Sequence, residues 1–191
     1  MPVITISRQL GTNGNAVAAA VAEKLRAPLL GRDLINQAAR RAGVPELALA
    51  ALDDLGLLEM RPSREARQAY RESLAKLAQE IANTGNAVIV GRNAQMILRD
   101  RPDVFHVHII APEPMRLQRV MVTYRCSEEA ARARIAAADA VRSRLFRAIH
   151  GTKRDDILCC DIVLNMAKFT VEDAADIIVQ AAKAGMKDKR A

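Results

Sequence analysis

Short runs of apolar, often β-branched residues alternate along this chain with longer stretches in which apolar positions recur every three or four residues. Val3-Ile4-Thr5-Ile6-Ser7 has the pattern of a buried strand and runs straight into a turn holding Gly11 and Gly14. From Asn15 to Leu25, the residues Ala16, Val17, Ala20, Val21 and Leu25 mark one face of a helix. Asp33 is placed to cap a second helix through Ile35, Ala38, Ala39 and Ala42, which Gly43 and Pro45 stop. Helical patterning continues from Pro45 to Leu58, where the leucines suit either a core or a subunit interface. A further helix begins at Pro62 and runs through Tyr70, Leu74, Leu77 and Ile81 to Thr84-Gly85. Ala87-Val88-Ile89-Val90 and Val104 to Ile110 read as two more buried strands. One helix then starts at Pro112, and another is capped by Ser127 with Glu128 and Glu129 in its first turn. Asp161 to Asn165 forms a last strand, and Thr170 opens the terminal helix with Asp173 three residues on, a variant of the capping box. Strands separated by helices predict an α/β fold with a parallel sheet and helices on both faces. No repeat, low-complexity tract or linker interrupts the pattern, so one domain over residues 1–191 is expected.

Composition narrows the function classes. A chain of 191 residues suits one well-packed domain and is short for two. Aromatic residues make up 3 % and tryptophan is absent, which leaves little for base-stacking platforms and disfavours nucleic-acid binding. Apolar runs such as Ala87–Val90 and Val107–Ala111 fall far short of the roughly 20 residues that a membrane span needs. The N-terminus lacks the basic region of a signal peptide, and Cys126 with the adjacent Cys159 and Cys160 does not read as a disulfide framework. The expected compartment is the cytoplasm. The net charge is +7, and between Arg116 and Arg154 ten basic residues face three acidic ones. That stretch alone carries the whole excess, which points to anion handling.

Ligands of such sheets bind at the carboxyl ends of the strands. Three segments therefore matter. The first is the loop Arg8 to Asn15, where Gly11, Thr12, Asn13, Gly14 and Asn15 can present backbone N–H groups to a phosphate at a helix N-terminus. Arg8 can serve the same anion if its guanidinium folds back over the loop; otherwise it is a surface arginine beside a tight turn. The second is Gly91-Arg92, a glycine and a cation leaving a buried strand. The third opens into the arginine-rich stretch. His106 and His108 alternate on one strand and face one side together. With no third ligand nearby, hydrogen-bonded core histidines are favoured over a metal pair. An inert core role is likewise favoured for Cys159 and Cys160 over redox or metal chemistry.

Ile4-Thr5-Ile6-Ser7-Arg8-Gln9-Leu10-Gly11-Thr12-Asn13-Gly14, the Val88-Ile89-Val90-Gly91-Arg92 strand end and the Asp161-Ile162-Val163-Leu164-Asn165 strand together resemble the cytidylate kinase-like family, over Ile4 to about Ile178. That family belongs to the nucleoside monophosphate kinase branch of P-loop phosphotransferases. The resemblance implies a three-layer α/β/α P-loop kinase-like fold with residues 112–154 as a helical lid. It also implies ATP as phosphoryl donor, Mg²⁺, and a cytidine monophosphate-like or other small phosphorylated acceptor. Laid without gaps on a cytidylate kinase loop, Arg8 takes the place of the first glycine, Gly14 that of the lysine and Ala16 that of the hydroxyl. The family often carries an arginine where Asn15 stands, an aspartate where Gly31 stands, and a hydroxyl-bearing pair where Met166-Ala167 stands.

The resemblance assigns Arg92 to the acceptor phosphate. It leaves Asp33 either to cap its helix or to orient the acceptor phosphate or a Mg²⁺-bound water. Arg119 and Arg142, then Arg116, are the lid arginines best placed to act on the transferred group; Asp139 and Arg142 repeat the lid's pattern of an aspartate three residues before an arginine. Two functions stay open at this point. One is a nucleotide kinase with small-molecule nucleotide substrates. The other is a P-loop module that binds nucleotide without turnover, as a sensor or partner protein. A homodimer is left open, and no membrane partner is expected.

Overall fold

Period-two alternation sends the first strand's side chains to opposite faces, and both faces are covered. The computed structural model describes residues 2–43, 63–91, 94–150 and 156–186. Strand β1 (Val3–Arg8) lies at the centre of a five-stranded parallel sheet with β2 (Leu29–Leu30), β3 (Ala87–Val90), β4 (Val104–Ile110) and β5 (Ile162–Asn165), in the order β2-β3-β1-β4-β5. Ile4 and Ile6 of β1, with Val107 and Ile109 of β4, pack against helices α1 (Gly14–Leu25) and α7 (Val171–Gly185). Val3, Ala87, Ile89 and Val104 point the other way, toward α2 (Arg32–Ala42), α3 (Arg64–Thr84) and the short α4 (Ala94–Ile97). Burying each large aliphatic side chain here is worth about 1.5–3 kcal/mol. The alternation puts Thr5 and Ser7 on this second face as well.

There the two histidines of β4 meet them. The parallel register sets Thr5 opposite His106 and Ser7 opposite His108. Thr5 Oγ1 lies 2.7 Å from His106 Nδ1 and Ser7 Oγ 2.6 Å from His108 Nδ1, all four residues being buried. Both are hydrogen-bonded core histidines, as the alternation predicted.

Helices α5 (Glu113–Tyr124) and α6 (Glu128–His150) leave the carboxyl end of β4 as a hairpin. Its own small core is Val120, Ala131 and Ile135, and an Arg132–Glu113 ion pair joins its helices on the outside. The predicted caps of α6 and α7 hold. Ser127 Oγ accepts from the Ala130 N–H at 3.3 Å, and Thr170 and Asp173 cap each other's backbone N–H groups.

Three local expectations are corrected. Asp33 does not stand at the N-cap position of α2: the helix begins at Arg32, and the carbonyl of Gly31 accepts from the Leu34 N–H, which puts the Asp33 backbone inside the first turn. The last strand starts one residue late. The Asp161 carboxylate accepts from the His106 N–H at 2.7 Å while its own N–H donates to the His106 carbonyl, so a side chain makes the pairing that a regular strand residue would make. Strand β2 and helix α4 went unforeseen, because elements of two and four residues are too short to show a period. The helical pattern expected from Pro45 to Leu58 lies outside the described residues, as do Pro62 and Gly151.

Candidate functional site

In the strand order β2-β3-β1-β4-β5, connections from β1 and from β3 depart to opposite sides, and the loop after β1 sits where they part. The loop is tightly tied. The Gln9 N–H donates to the Ile109 carbonyl at 3.0 Å, Gln9 Oε1 accepts from the Ala111 N–H at 3.2 Å, and Thr12 Oγ1 donates to the Gln9 carbonyl at 2.9 Å. Gly11 has φ +83°, and a Cβ there would stand 2.7 Å from the Arg116 carbonyl oxygen and 2.9 Å from its Cα. Only glycine permits this approach of the loop to α5. Asn13 is left-handed at φ 59°, ψ 18° and starts α1 without a side-chain cap. The first intrahelical bond runs from the Val17 N–H to the Asn13 carbonyl, so the N–H groups of Gly14, Asn15 and Ala16 open the helix. No acidic residue stands in that first turn. The positive end of α1 therefore faces the loop with donors suited to an anion.

Arg8 lies across this loop. Its Nε donates to Asn15 Oδ1 at 3.0 Å, and its Cβ and Cγ fill the space where a Cβ on Gly14 would sit, at 2.6 and 2.7 Å. At its far end the guanidinium occupies the Cβ space of Gly91, which has φ +66° and donates its N–H to the Ile6 carbonyl. One side chain thus reaches from the first turn of α1 to the carboxyl end of β3. Gly14 and Gly91 leave it room.

Among the arginines of the α5–α6 hairpin, Arg116 is buried, with 5 % of its surface exposed. Its Nε donates to the Leu10 carbonyl at 2.8 Å, and its two terminal nitrogens donate to the two carboxylate oxygens of Asp139 at 2.9 and 2.8 Å. Arg119 is half-buried one turn further along α5, with a terminal nitrogen 3.5 Å from the Gly11 carbonyl. Arg142 lies three residues beyond Asp139 on α6, and its side chain is outside the described set, as is that of Asp33. Arg92 lies outside the described residues altogether. The structure thus gathers Arg8, Gly11, Thr12, Asn13, Gly14, Asn15, Arg116 and Arg119 around one loop. What sequence reasoning missed is the pairing of Arg116 with Asp139 and Leu10, and the use of Gly91 as a slot for Arg8. A glycine directly after a buried strand, Gly91 after Val90, was the available signal.

Ala16 offers no hydroxyl to Mg²⁺ and the Thr12 hydroxyl donates its proton to the loop, while among the described residues no group of three or more His, Cys, Asp or Glu side chains could hold a metal ion. On the other face of the sheet, Gln95 Nε2 donates to the Cys159 carbonyl at 3.1 Å and to Cys160 Sγ at 2.8 Å. No helix among the described residues is long and apolar enough to cross a membrane.

A profile of the cytidylate kinase-like family matches residues 3–168. The cytidylate kinase of Pyrobaculum calidifontis is 27% identical over 177 residues, covering 93% of this chain and 90% of that protein. That of Methanocaldococcus jannaschii is 26% identical, covering 94% and 96%. Among solved structures, an uncharacterized protein from Eubacterium ventriosum superposes with TM-score 0.74 at 24% identity, covering 96% of this chain and 99% of that one. Shikimate kinase from Acinetobacter baumannii has TM-score 0.57 at 16% identity, covering 96% and 94%. A gluconokinase from Sinorhizobium meliloti has TM-score 0.54 at 14%, covering 98% and 93%. The fold is that of P-loop kinases.

Proposed function

The chain belongs to the cytidylate kinase-like family, and from that premise we propose that it transfers the γ-phosphoryl group of ATP to a small phosphorylated acceptor of the cytidine monophosphate kind. The observation that carries this reading is the course of Arg8, which joins the glycine loop to the end of β3. The backbone N–H groups from Gly11 to Asn15 cradle the donor's phosphates at the start of α1. Arg8 supplies, from the strand side, the positive charge that a P-loop lysine supplies from the helix side. Arg92 and Asp33 take the acceptor. Arg119 and Arg142 neutralise the equatorial oxygens of the group in flight. An oxygen of the acceptor phosphate attacks the γ-phosphorus as the bond to the β–γ bridging oxygen breaks, and ADP leaves with that electron pair. Positioning and positive charge do most of the work in such a transfer.

A second reading has its own support. Gly14 and Ala16 stand where the loop's lysine and hydroxyl would be, which suits a protein that binds nucleotide without turning it over. A coupled kinase assay over CMP, dCMP, UMP and AMP, beside calorimetry with ATP, decides between them. Turnover of a cytidine monophosphate is expected. Micromolar ATP binding with no turnover of any monophosphate would establish the second reading instead.

A further inference from the structure

The α5–α6 hairpin is joined to the glycine loop by more than its chain ends. Besides the long contact from Arg119 to the Gly11 carbonyl, three contacts converge on Leu10 and Gly11. The Leu10 side chain packs into the hairpin's core of Val120, Ala131 and Ile135. The Leu10 carbonyl accepts from Arg116 Nε, and Gly11 rests on the Arg116 backbone with no room for a Cβ. The same guanidinium then grips both oxygens of Asp139 on α6, only 6 % of the Arg116 side chain being exposed. Asp139 spends both carboxylate oxygens on that grip and matches the charge. A cation so matched is poorly placed to offset a phosphate and well placed to hold two elements in register.

We infer that Arg116 is a positioning residue, which with Asp139 and Leu10 locks the phosphate-facing loop to the arginine hairpin so that anion binding in the loop and the set of the hairpin form one equilibrium. The inference rests on the loop being the phosphate site of the function proposed above. It goes beyond that reading in coupling Asp139, which among the described residues makes no hydrogen bond to a loop atom, to phosphate affinity. Coupling free energies between linked sites commonly correspond to 5–150-fold changes in affinity.

The test compares full-length wild type with Asp139→Asn, Arg116→Lys and Glu113→Gln. Glu113→Gln removes a hairpin ion pair that does not reach the loop. Calorimetry with MgATP and with inorganic tripolyphosphate reads affinity, and hydrogen exchange reads the amides of Leu10 to Asn13. Asp139→Asn should weaken both ligands about tenfold, equivalent to about 1.4 kcal/mol, and speed exchange of those amides. Arg116→Lys, which keeps the charge and loses the fork, should do the same, while Glu113→Gln should change neither. If Arg116 instead contacts phosphate directly, removing its competing carboxylate leaves binding unchanged or tightens it, and the inference fails. A lowered melting temperature with unchanged affinity and exchange also overturns it. Should Asp139→Asn not fold, Arg116→Lys decides alone. If wild type binds neither ligand, the kinase reading falls and the coupling to phosphate affinity with it, while the exchange comparison still decides whether Arg116 and Asp139 lock the loop to the hairpin.

Discussion

Gly11 and Gly31 both stand where a loop meets a helix, yet the chain around them asks for different things. At Gly11 a Cβ would strike the Arg116 backbone in a left-handed conformation, and backbone cannot swing aside; around Gly31 there is nothing within 4 Å. Gly11→Ala should therefore lower stability by more than about 2 kcal/mol, while Gly31→Ala stays within about 0.5 kcal/mol, both measured by urea unfolding. Arg8→Ala leaves the core intact and should weaken MgATP binding and lower kcat/KM. If its kcat/KM matches wild type, Arg8 is a surface arginine. Arg119→Ala and Arg142→Ala should each lower kcat and kcat/KM together, by about 10²-fold. That is less than the 10³–10⁵ typical of a lone arginine finger, because the hairpin shares the task. Thermal melts should barely move. Arg92→Ala should raise KM for the acceptor and leave KM for ATP and the melt alone. At this scale the sequence showed which residue types could meet an anion. It did not separate Arg116, held by Leu10 and Asp139, from Arg119, because both lie on one helix face three residues apart.

Among the elements, the start of β4 is pinned to α3 by one surface network. Arg101 donates to Asp103, Asn83 and Gln79, holding the turn before the strand against the end of the helix. The hydrogen bond from Arg101 holds the Asp103 carboxyl below its ordinary value of 3.8, against the opposing effect of burial. A carboxyl depressed in the folded state adds stability above its unfolded value, and that stability is lost as pH falls through the folded value. Asp103→Asn should therefore lower the melting temperature slightly at pH 7, and the difference from wild type should vanish as pH falls below about 4. The effect should be less than about 1 kcal/mol, because half of the Asp103 side chain is exposed to solvent. If the acid limb is unchanged, the network does not survive in solution. Elements of ten or more residues were legible in the sequence because period and caps repeat along them. Thr170 and Asp173 fixed the start of α7 from four residues of text. Strand β2 was not legible, since Leu29 and Leu30 are strand only because β3 lies alongside.

For the molecule as a whole, the basic excess lies between Arg116 and Arg154, most of it on the hairpin that leaves the carboxyl end of β4. MgATP affinity should fall as salt is raised from 50 to 300 mM, since attraction at an open site is screened over about 10 Å at 0.1 M. At 100 times its dissociation constant, ATP should stabilise the fold by about 2.7 kcal/mol. A melt that ATP leaves unmoved at millimolar concentration would remove nucleotide binding from both readings. By itself the sequence determined the order of the described strands and helices other than β2 and α4, the burial of β1 and the place of the glycine loop, because hydrophobic period, caps and turns act between near neighbours. Tertiary structure alone decided that Arg8 runs from Gly14 to Gly91 and that Arg116 ties Leu10 to Asp139, partners 106 and 23 residues away from it. Alternation along a strand tells a side chain which face to take. Which partner waits there depends on how the sheet orders its strands and where the hairpin lands, and no local pattern encodes that.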